Sequence, residues 1–235
     1  RELFEVKPVF MLAEADLSEH HEEAFDMSYG WELMHLTKHI YNGDSSLSAI
    51  DSFMSREADR FDSNDNRMYF LTSHDENSWN GTIEERYGPS EKAVAVLSYT
   101  IGGMPLIYAG QEYGNNKALA FFEKDNPDYQ DPEIYYFYKT LMDLNVNNRA
   151  LWNGNYGAKY QRLKTSDDEH VYALKRQKDN NVVISLVNFS DQEIIVELVL
   201  EEEFTLNDAF SGEEISLGEV TQMNLEPYGY RVLYR

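Results

Sequence analysis

Four side chains whose chemistry suits acid–base catalysis follow two apolar segments of the sequence. Glu14 comes directly after the apolar residues 8–13. The other three follow a second apolar run and are His74, Asp75 and Asn77. A carboxyl group next to apolar residues can have a raised pKa and act as a general acid. Paired carboxylates, together with His and amide groups that bind hydroxyls, are what hydrolysis of a glycosidic bond requires.

Structural or metal-binding roles would also fit these residue types. Taken alone, Glu14 favours a structural role, because acids at strand ends often accept hydrogen bonds from neighbouring backbone N–H groups. His74 and Asp75 have the composition of a metal motif, but the chain has no Cys and no second His at helical spacing nearby, which argues against zinc. Residues 20–23, His-His-Glu-Glu, form a second metal-like cluster, for which surface charge is the favoured interpretation. The sequence contains no serine-nucleophile elbow and no phosphate-binding loop.

The elements that must position these side chains are predicted to be strands that alternate with helices. Apolar runs predict four strands, at residues 8–15, 24–29, 68–72 and 105–108. Apolar residues at helical spacing predict helices at 31–41, 46–61, 90–101 and 132–144, and the polar segment 76–87 predicts a loop. Glu14 and Asp75 lie about two βαβ units of roughly 30 residues apart. Right-handed crossovers would therefore place both at the same end of one parallel sheet.

The pattern changes after Leu151. Short runs rich in Val, Ile and Tyr are separated by polar turns and lie at residues 156–164, 170–177, 182–189, 193–200, 220–225 and 230–234. In the last run Tyr230, Val232 and Tyr234 share one face, and Arg231 and the following Arg235 lie on the other, which predicts one apolar and one solvated face. Such strands predict an antiparallel β-sandwich. The predicted fold class is therefore α/β followed by all-β, with domains at residues 1–150 and 151–235.

Composition disfavours or excludes several classes of function. The chain has 235 residues, of which 42% are hydrophobic, enough to bury one large core or two smaller ones. It carries 20 Lys and Arg against 42 Asp and Glu, a net charge of −22, which disfavours binding to nucleic acid or to an anionic membrane. The absence of Cys excludes disulfides and thiolate nucleophiles. No apolar run approaches the roughly 20 residues that span a bilayer.

Four motifs, in this order, resemble strands five to eight of the α-amylase family, glycoside hydrolase family thirteen. They are FMLAE at 10–14, FDMSY at 25–29, FLTSHDE at 70–76 and GMPLIYAGQE at 103–112. The sequence beyond Leu151 resembles the C-terminal β domain of that family. The resemblance covers essentially the whole chain. It implies the second half of a (β/α)8 TIM barrel followed by an antiparallel β-sandwich.

The resemblance also implies roles for individual residues. Glu14 matches the general acid/base of the family, and Asp75 matches its third essential carboxylate, which holds sugar hydroxyls. His74 matches a His that hydrogen-bonds the same sugar, and Asn77 supplies a further group for sugar hydroxyls. Trp79 is a candidate for stacking on a neighbouring sugar, although packing accounts for it at least as well. The same two roles are open to Phe121 and Phe122. No metal ligand and no cofactor is predicted in the chain.

One essential group of the family has no match. Its nucleophile is an Asp at the end of strand four, in a Gly-x-Arg-x-Asp setting, and no such motif occurs here. Strands one to four and the usual calcium ligands would also lie before residue 1, so calcium is expected only in a longer parent protein. Retaining hydrolysis needs a second carboxylate about 5–5.5 Å from the acid. The sequence therefore predicts a fragment that is inactive alone.

The implied substrate is an α-glucan or a maltooligosaccharide. Because a half barrel has two open parallel edges, we expect pairing with the missing half or with a second copy of the chain. Two other functions stay open at this point. One is a non-catalytic carbohydrate-binding or interaction module, and the other is a transglycosylase or isomerase with the same acids. The N-terminus gives no information on localisation, which stays open as well.

Overall fold

The computed structural model describes residues 2–129 and 131–235. Its first part contains a parallel sheet whose strands lie side by side in chain order. The strands are β1 Leu12–Ala13, β2 Met27–Tyr29, β3 Asn66–Phe70 and β4 Met104–Leu106. All four predicted strands are present, although each is shorter than or shifted from its predicted range. Because neighbouring strands are parallel, their carboxyl ends all lie at the same end of the sheet.

Helices connect and cover these strands. They are α1 Glu2–Val6, α2 Trp31–Tyr41, α3 Ser48–Arg60, α4 His74–Trp79, α5 Ile83–Tyr87, α6 Glu91–Thr100 and α7 Pro132–Asn147. The four helices predicted from apolar spacing correspond to α2, α3, α6 and α7. No helix in the described ranges is both long and apolar enough to span a bilayer.

The loop predicted at residues 76–87 is wrong for most of that segment, which forms α4 and α5. Hydrogen bonds at the helix starts explain the difference. Ser73 Oγ accepts from the Glu76 N–H at 3.3 Å and so caps α4. Thr82 and Glu85 form a reciprocal capping box at the start of α5. Both helices are too short to show the apolar periodicity on which the prediction relied.

The two faces of the parallel sheet have different partners. Tyr69 and Leu71 belong to the buried cluster that the sheet forms with α2, α3, α6 and α7. Met68 and Phe70, which alternate with them, pack in a second cluster with Met27 and other side chains of β2 and β4. This alternation is the period of two that a strand imposes on its side chains.

The second part of the chain is antiparallel. Its strands are β5 Gln161–Leu163, β6 Val171–Lys178, β7 Asn181–Asn188, β8 Ile194–Val199, β9 Phe204–Asp208, β10 Glu214–Leu217, β11 Val220–Leu225 and β12 Tyr230–Tyr234. A six-stranded sheet has the order β10-β9-β12-β7-β6-β5, and β11 pairs with β8. A buried cluster joins side chains of the six-stranded sheet to those of β8 and β11. The sequence did not predict β9 and β10, which are short and lie between acidic turns.

The two parts share one buried cluster. On the face of the six-stranded sheet opposite to β8 and β11, Val183, Val187 and Val232 belong to the same cluster as residues of α6 and α7. Asp51 of α3 also accepts hydrogen bonds from the hydroxyls of Tyr160 and Tyr172, at 2.9 and 2.8 Å. The domain boundary at residue 151 stays a prediction. The six-stranded sheet thus packs against α6 and α7, and none of the residues predicted for catalysis lies on it.

Candidate active site

The carboxyl ends of β1 and β3 bring three predicted residues together. Glu14 directly follows β1, and His74 and Asp75 open α4 just beyond β3. His74 Nε2 lies 3.8 Å from Glu14 Oε1 and 3.6 Å from Asp75 Oδ2. The imidazole therefore lies between two carboxylates that are far apart in the sequence. Parallel pairing of β2 with both neighbours produces this arrangement.

The three side chains lie at an open surface. The side chains of Glu14, His74 and Asp75 are 55%, 45% and 41% exposed. The sequence left open whether Glu14 has a structural role or lies in an apolar pocket, and its exposure excludes the apolar pocket in the structure described. Two residues of its apolar segment, Phe10 and Leu12, are themselves exposed and do not enclose it. Both carboxylates are thus accessible to a substrate in the structure described.

The position of Asp75 depends on buried partners of α4. Glu76 is buried and bonds to Arg86 of α5, with Nη1 to Oε2 at 3.2 Å. Asn80 donates a second hydrogen bond to the same Glu76 oxygen at 3.1 Å. Sequence reasoning missed Glu76 and Arg86 as supports of the site. The available signal was the position of Glu76 directly after Asp75, which does not reveal its partner.

Asn77 lies behind the open surface and is almost fully buried. Its Oδ1 accepts from the Leu119 N–H at 2.8 Å, and its Nδ2 donates to the Lys117 carbonyl at 3.2 Å. The side chain therefore holds the long segment between β4 and α7. Its assignment to substrate binding stays a prediction, because the contacts shown are with the backbone of this segment.

Three aromatic residues form an exposed platform next to His74. Trp79 and Phe122 are 61% and 84% exposed, and Phe121 is less so. The Phe121 ring stacks on His74 with centroids 6.0 Å apart and also meets Trp79 at 5.4 Å. Phe122 packs on Phe121 at 4.8 Å. Aromatic faces with this exposure can stack on sugar rings. We call Trp79, Phe121 and Phe122 the aromatic platform.

Tyr29, at the end of β2, is a further residue of the site that sequence reasoning did not select. Its ring stacks on Trp31 with centroids 4.6 Å apart and meets Phe70 edge-on. Burial, followed by the negative charges of Glu14 and Asp75, raises the pKa of the Tyr29 phenol. The phenol thus stays protonated near the two carboxylates and can donate a hydrogen bond.

Glu14, His74 and Asp75 have ligand atoms within 4.8 Å of one another, so they could also hold a cation. Two carboxylates and an imidazole are donors that several divalent ions accept. The expectation of a site without metal or cofactor stays a prediction. Paired carboxylates beside a His equally suit proton transfer and the stabilisation of positive charge.

Comparison with solved structures identifies proteins with a similar fold. The chain superposes on a maltogenic alpha-amylase, AmyB from Thermotoga neapolitana, with a TM-score of 0.83 and 17% sequence identity, covering 99% of this chain and 56% of that chain. It superposes on an alpha-amylase from H. orenii with a TM-score of 0.73 and 17% identity, covering 100% and 55% of the two chains. The chain therefore has the fold of the part of these alpha-amylases on which it superposes.

Proteins related to this chain in sequence are also named as amylases or cyclomaltodextrinases. Alpha-amylase 2 of Dictyoglomus thermophilum is 23% identical over 159 residues, which are 62% of this chain and 26% of that protein. A cyclomaltodextrinase of Thermoanaerobacter pseudethanolicus is 26% identical over 164 residues, with coverages of 64% and 26%. No family model matches the chain. The resemblance to the α-amylase family is nevertheless confirmed by these relatives and structures. The chain spans about a quarter of the length of these relatives and just over half of the solved chains.

Proposed function

We propose that this chain is part of a retaining α-glucan hydrolase and supplies its general acid/base. The observation that carries the proposal is the position of His74 between Glu14 and Asp75, at the carboxyl ends of two strands of one parallel sheet. Catalytic groups of α/β barrels lie at this end of their strands. Relatives named alpha-amylase and cyclomaltodextrinase support the choice of an α-glucan as the substrate.

Each polar group would have a separate task in the reaction. Glu14 would donate its proton to the glycosidic oxygen as the bond to the leaving sugar breaks, and would later take a proton from the attacking water. Asp75 and His74 would hold hydroxyls of the reacting sugar, and the Asp75 carboxylate would stabilise its positive charge in the transition state. The Tyr29 hydroxyl, whose pKa is raised by burial and by the charges of both acids, is a further donor on the strand between them.

The reaction also needs a carboxylate that attacks the sugar. In the proposal this nucleophile comes from strand four of a complete barrel, about 5–5.5 Å from Glu14. The four-stranded parallel sheet fits strands five to eight of such a barrel, with β1 and β4 as its open edges. Leu12 on β1 and the preceding Phe10 are exposed apolar residues that a first half would cover. Without that half, or a second copy in its place, the chain would be inactive.

The aromatic platform indicates where the glucan would extend beyond the reacting sugar. It continues from His74 through Phe121 to the more exposed Trp79 and Phe122. Stacking on these rings would bind neighbouring glucose units without contributing to proton transfer. A structure similar to this chain, AmyP, has been solved in complex with maltose. Maltooligosaccharides are therefore the substrates to test first.

The proposal is tested in the full-length protein that contains this chain. Glu14→Gln should lower kcat/KM for a maltooligosaccharide by about 10²–10⁴-fold, because the amide cannot donate the proton. Glu19→Gln is the matched control, since Glu19 is an exposed acid five residues further along. Near-normal turnover by Glu14→Gln, measured as released reducing ends, would contradict the assignment.

A non-catalytic sugar-binding module is the second candidate, and the exposed aromatic platform is the observation that favours it. Calorimetry with maltooligosaccharides and a reducing-sugar assay separate the two functions. We expect the full-length protein to bind and to release reducing ends. Binding without turnover in the full-length protein would instead identify a binding module. Product analysis by chromatography would distinguish hydrolysis from transglycosylation or isomerisation by the same acids.

A further inference from the structure

The short segment that follows β1 and contains Glu14 is anchored two residues beyond this acid. Asp16 Oδ1 bonds to Nη2 of Arg67, a residue of β3. Arg60 of α3 holds the same residue through its backbone, because its Nη2 donates to the Asp16 carbonyl at 2.8 Å. The carbonyl of Ala15 accepts from the N–H of Tyr29 on β2 at 3.0 Å. The two residues after Glu14 are therefore fixed to β2, β3 and α3.

Arg67 is the buried centre of this anchor. Its Nε donates to Glu57 Oε2 of α3 at 2.7 Å, and its Nη1 donates to the Ser28 hydroxyl on β2. The three nitrogens of the guanidinium thus bind three different segments. A guanidinium is planar and presents its donors in a rigid fork, so partners on all sides hold it in one orientation. Asp16 is therefore bound to a fixed group.

His21 supports the same arrangement through Ser28. The sequence favoured surface charge for the cluster at 20–23, and this is wrong for His21, whose side chain is 2% exposed. Its ring meets Phe61 edge-on, and its Nε2 lies 2.7 Å from Ser28 Oγ. Burial lowers the pKa of His21, which favours a neutral ring whose Nε2 can accept the hydroxyl proton. Ser28 Oγ is then oriented as an acceptor for Arg67.

Glu14 depends on this anchor because its own side chain is loosely held. The side chain is 55% exposed, and the 3.8 Å between its Oε1 and His74 Nε2 is too long for a hydrogen bond. On the other side, β1 contains only two residues. A general acid must come within about 2.6–3.2 Å of the oxygen that it protonates. A displacement of about 1 Å can therefore remove much of its effect.

We propose that Asp16, held by Arg67, is a positioning residue that sets the place of the Glu14 carboxyl group. The inference rests on the proposed function of Glu14 as the general acid. Asp16 acts through the backbone of residues 14–16 and not through contact with the sugar. When the Asp16 carboxylate is removed, Arg67 keeps its bonds to Glu57 and Ser28. The fold then persists while the segment that contains Glu14 loses its anchor.

The test measures kcat/KM of the full-length protein on two substrates with different leaving groups. On a maltooligosaccharide, Asp16→Asn should lower kcat/KM at least about tenfold, a part of the roughly 10²–10⁴-fold that acid catalysis contributes. On an aryl α-maltoside with an acidic phenol, which leaves without a proton from Glu14, the change should stay below about twofold. A merely structural defect reduces the amount of active protein and so lowers both values equally.

Asp168→Asn is the matched control. Asp168 also pairs with an arginine, Arg162, and its side chain is 32% exposed, against 31% for Asp16. It belongs to the antiparallel part of the chain and should leave the ratio of the two kcat/KM values unchanged. Arg60→Gln removes the second anchor of Asp16 from an exposed position and should show the same selective loss to a smaller extent. This variant keeps the test valid if Asp16→Asn does not fold.

Glu14→Gln, measured alongside, separates this inference from the proposed function. A selective loss on the maltooligosaccharide in both Glu14→Gln and Asp16→Asn would support the positioning role. Equal losses on the two substrates in Asp16→Asn, or no loss on either, would overturn that role while a selective loss in Glu14→Gln leaves the general acid in place. Equal losses in Glu14→Gln itself would overturn the proposed function, and the positioning role with it.

Discussion

Two kinds of acid lie near the parallel sheet. Buried acids pair with arginines and stabilise the fold, whereas exposed acids face the candidate active site. Glu57 and Glu76 have side chains only 7% exposed, and each bonds to a buried arginine. Glu14 and Asp75 are about half exposed and both face the His74 imidazole. The buried acids are neutralised within the fold. The open acids keep oxygen atoms that a substrate can reach.

The surroundings of the two kinds explain this difference. A buried carboxylate has lost its water and must find its partners in the protein. Burial raises the pKa of Glu57, and the Arg67 guanidinium beside it opposes that shift. Substitution of a buried acid or of its partner should therefore change stability. Substitution of an open acid should change activity and leave stability almost unaltered.

The largest expected effect is a loss of stability when a buried acid loses its arginine partner. Arg86→Met leaves Glu76 as an uncompensated buried charge and should lower the free energy of unfolding by about 3–5 kcal/mol. Arg56→Met is the control, because Arg56 and its partner Glu32 are both exposed, and it should cost at most about 1 kcal/mol. Urea denaturation measures both. Equal costs for the two variants would show that burial does not distinguish these pairs.

On the open side, Asp75→Asn should lower kcat/KM of the full-length protein by about 10²–10³-fold, since the amide cannot stabilise developing positive charge. Its free energy of unfolding should stay within about 0.5 kcal/mol of the unchanged protein, as for other surface substitutions. Kinetic assays and denaturation of the same sample give both values. A large loss of stability with normal kcat/KM would place Asp75 among the structural acids.

Trp79→Ala tests whether the open surface extends beyond the three polar residues. Loss of one stacking contact should weaken maltooligosaccharide binding by about 0.5–1.5 kcal/mol. Trp152→Ala is the matched control, since that Trp is exposed on the turn after α7. Calorimetry should show weaker binding only for Trp79→Ala. The same affinity in both variants would limit the site to Glu14, His74 and Asp75.

The smallest effect concerns Glu91, an acid that accepts a hydrogen bond from the Tyr138 hydroxyl at 2.7 Å. Burial raises the pKa of Glu91, so the folded chain binds this proton more tightly than the unfolded chain does. Ionised Glu91 therefore reduces stability at neutral pH. This penalty shrinks as the pH falls through the raised pKa and is gone below the ordinary pKa of the carboxyl in the unfolded chain.

Glu91→Gln keeps an acceptor for Tyr138 without the charge. The variant should be more stable than the unchanged chain at pH 7, and the two should converge near pH 4. Thermal denaturation across this pH range measures the difference. A constant offset at all pH values would mean that ionisation of Glu91 is not its cause.

The sequence was most informative where an apolar run ends in polar residues. The runs before Glu14 and His74 have the composition of buried strands, and parallel pairing then determines that their ends meet. The strand positions, four main helices and the β-rich second part follow from periodicity in the same way. These features depend on neighbours in the sequence, which is why they could be predicted.

Other features depend on partners that the sequence does not identify. The helix α4 requires a cap from Ser73 and the pairing of Glu76 with Arg86, ten residues away. The burial of His21 requires Ser28 on a strand and Phe61 at the end of α3. The open surroundings of Glu14 reflect which residues lie opposite it, and a short apolar run contains no information about them.

The central claim is that Glu14 donates a proton to a leaving sugar, and substrates with different leaving groups test it most directly. In the full-length protein, Glu14→Gln should lose about 10²–10⁴-fold in kcat/KM on a maltooligosaccharide, whose leaving group needs protonation. The step that forms the glycosyl-enzyme should lose far less on an aryl α-maltoside with an acidic phenol, which leaves unprotonated. Equal losses in that step on the two substrates would contradict the role of Glu14 as the general acid.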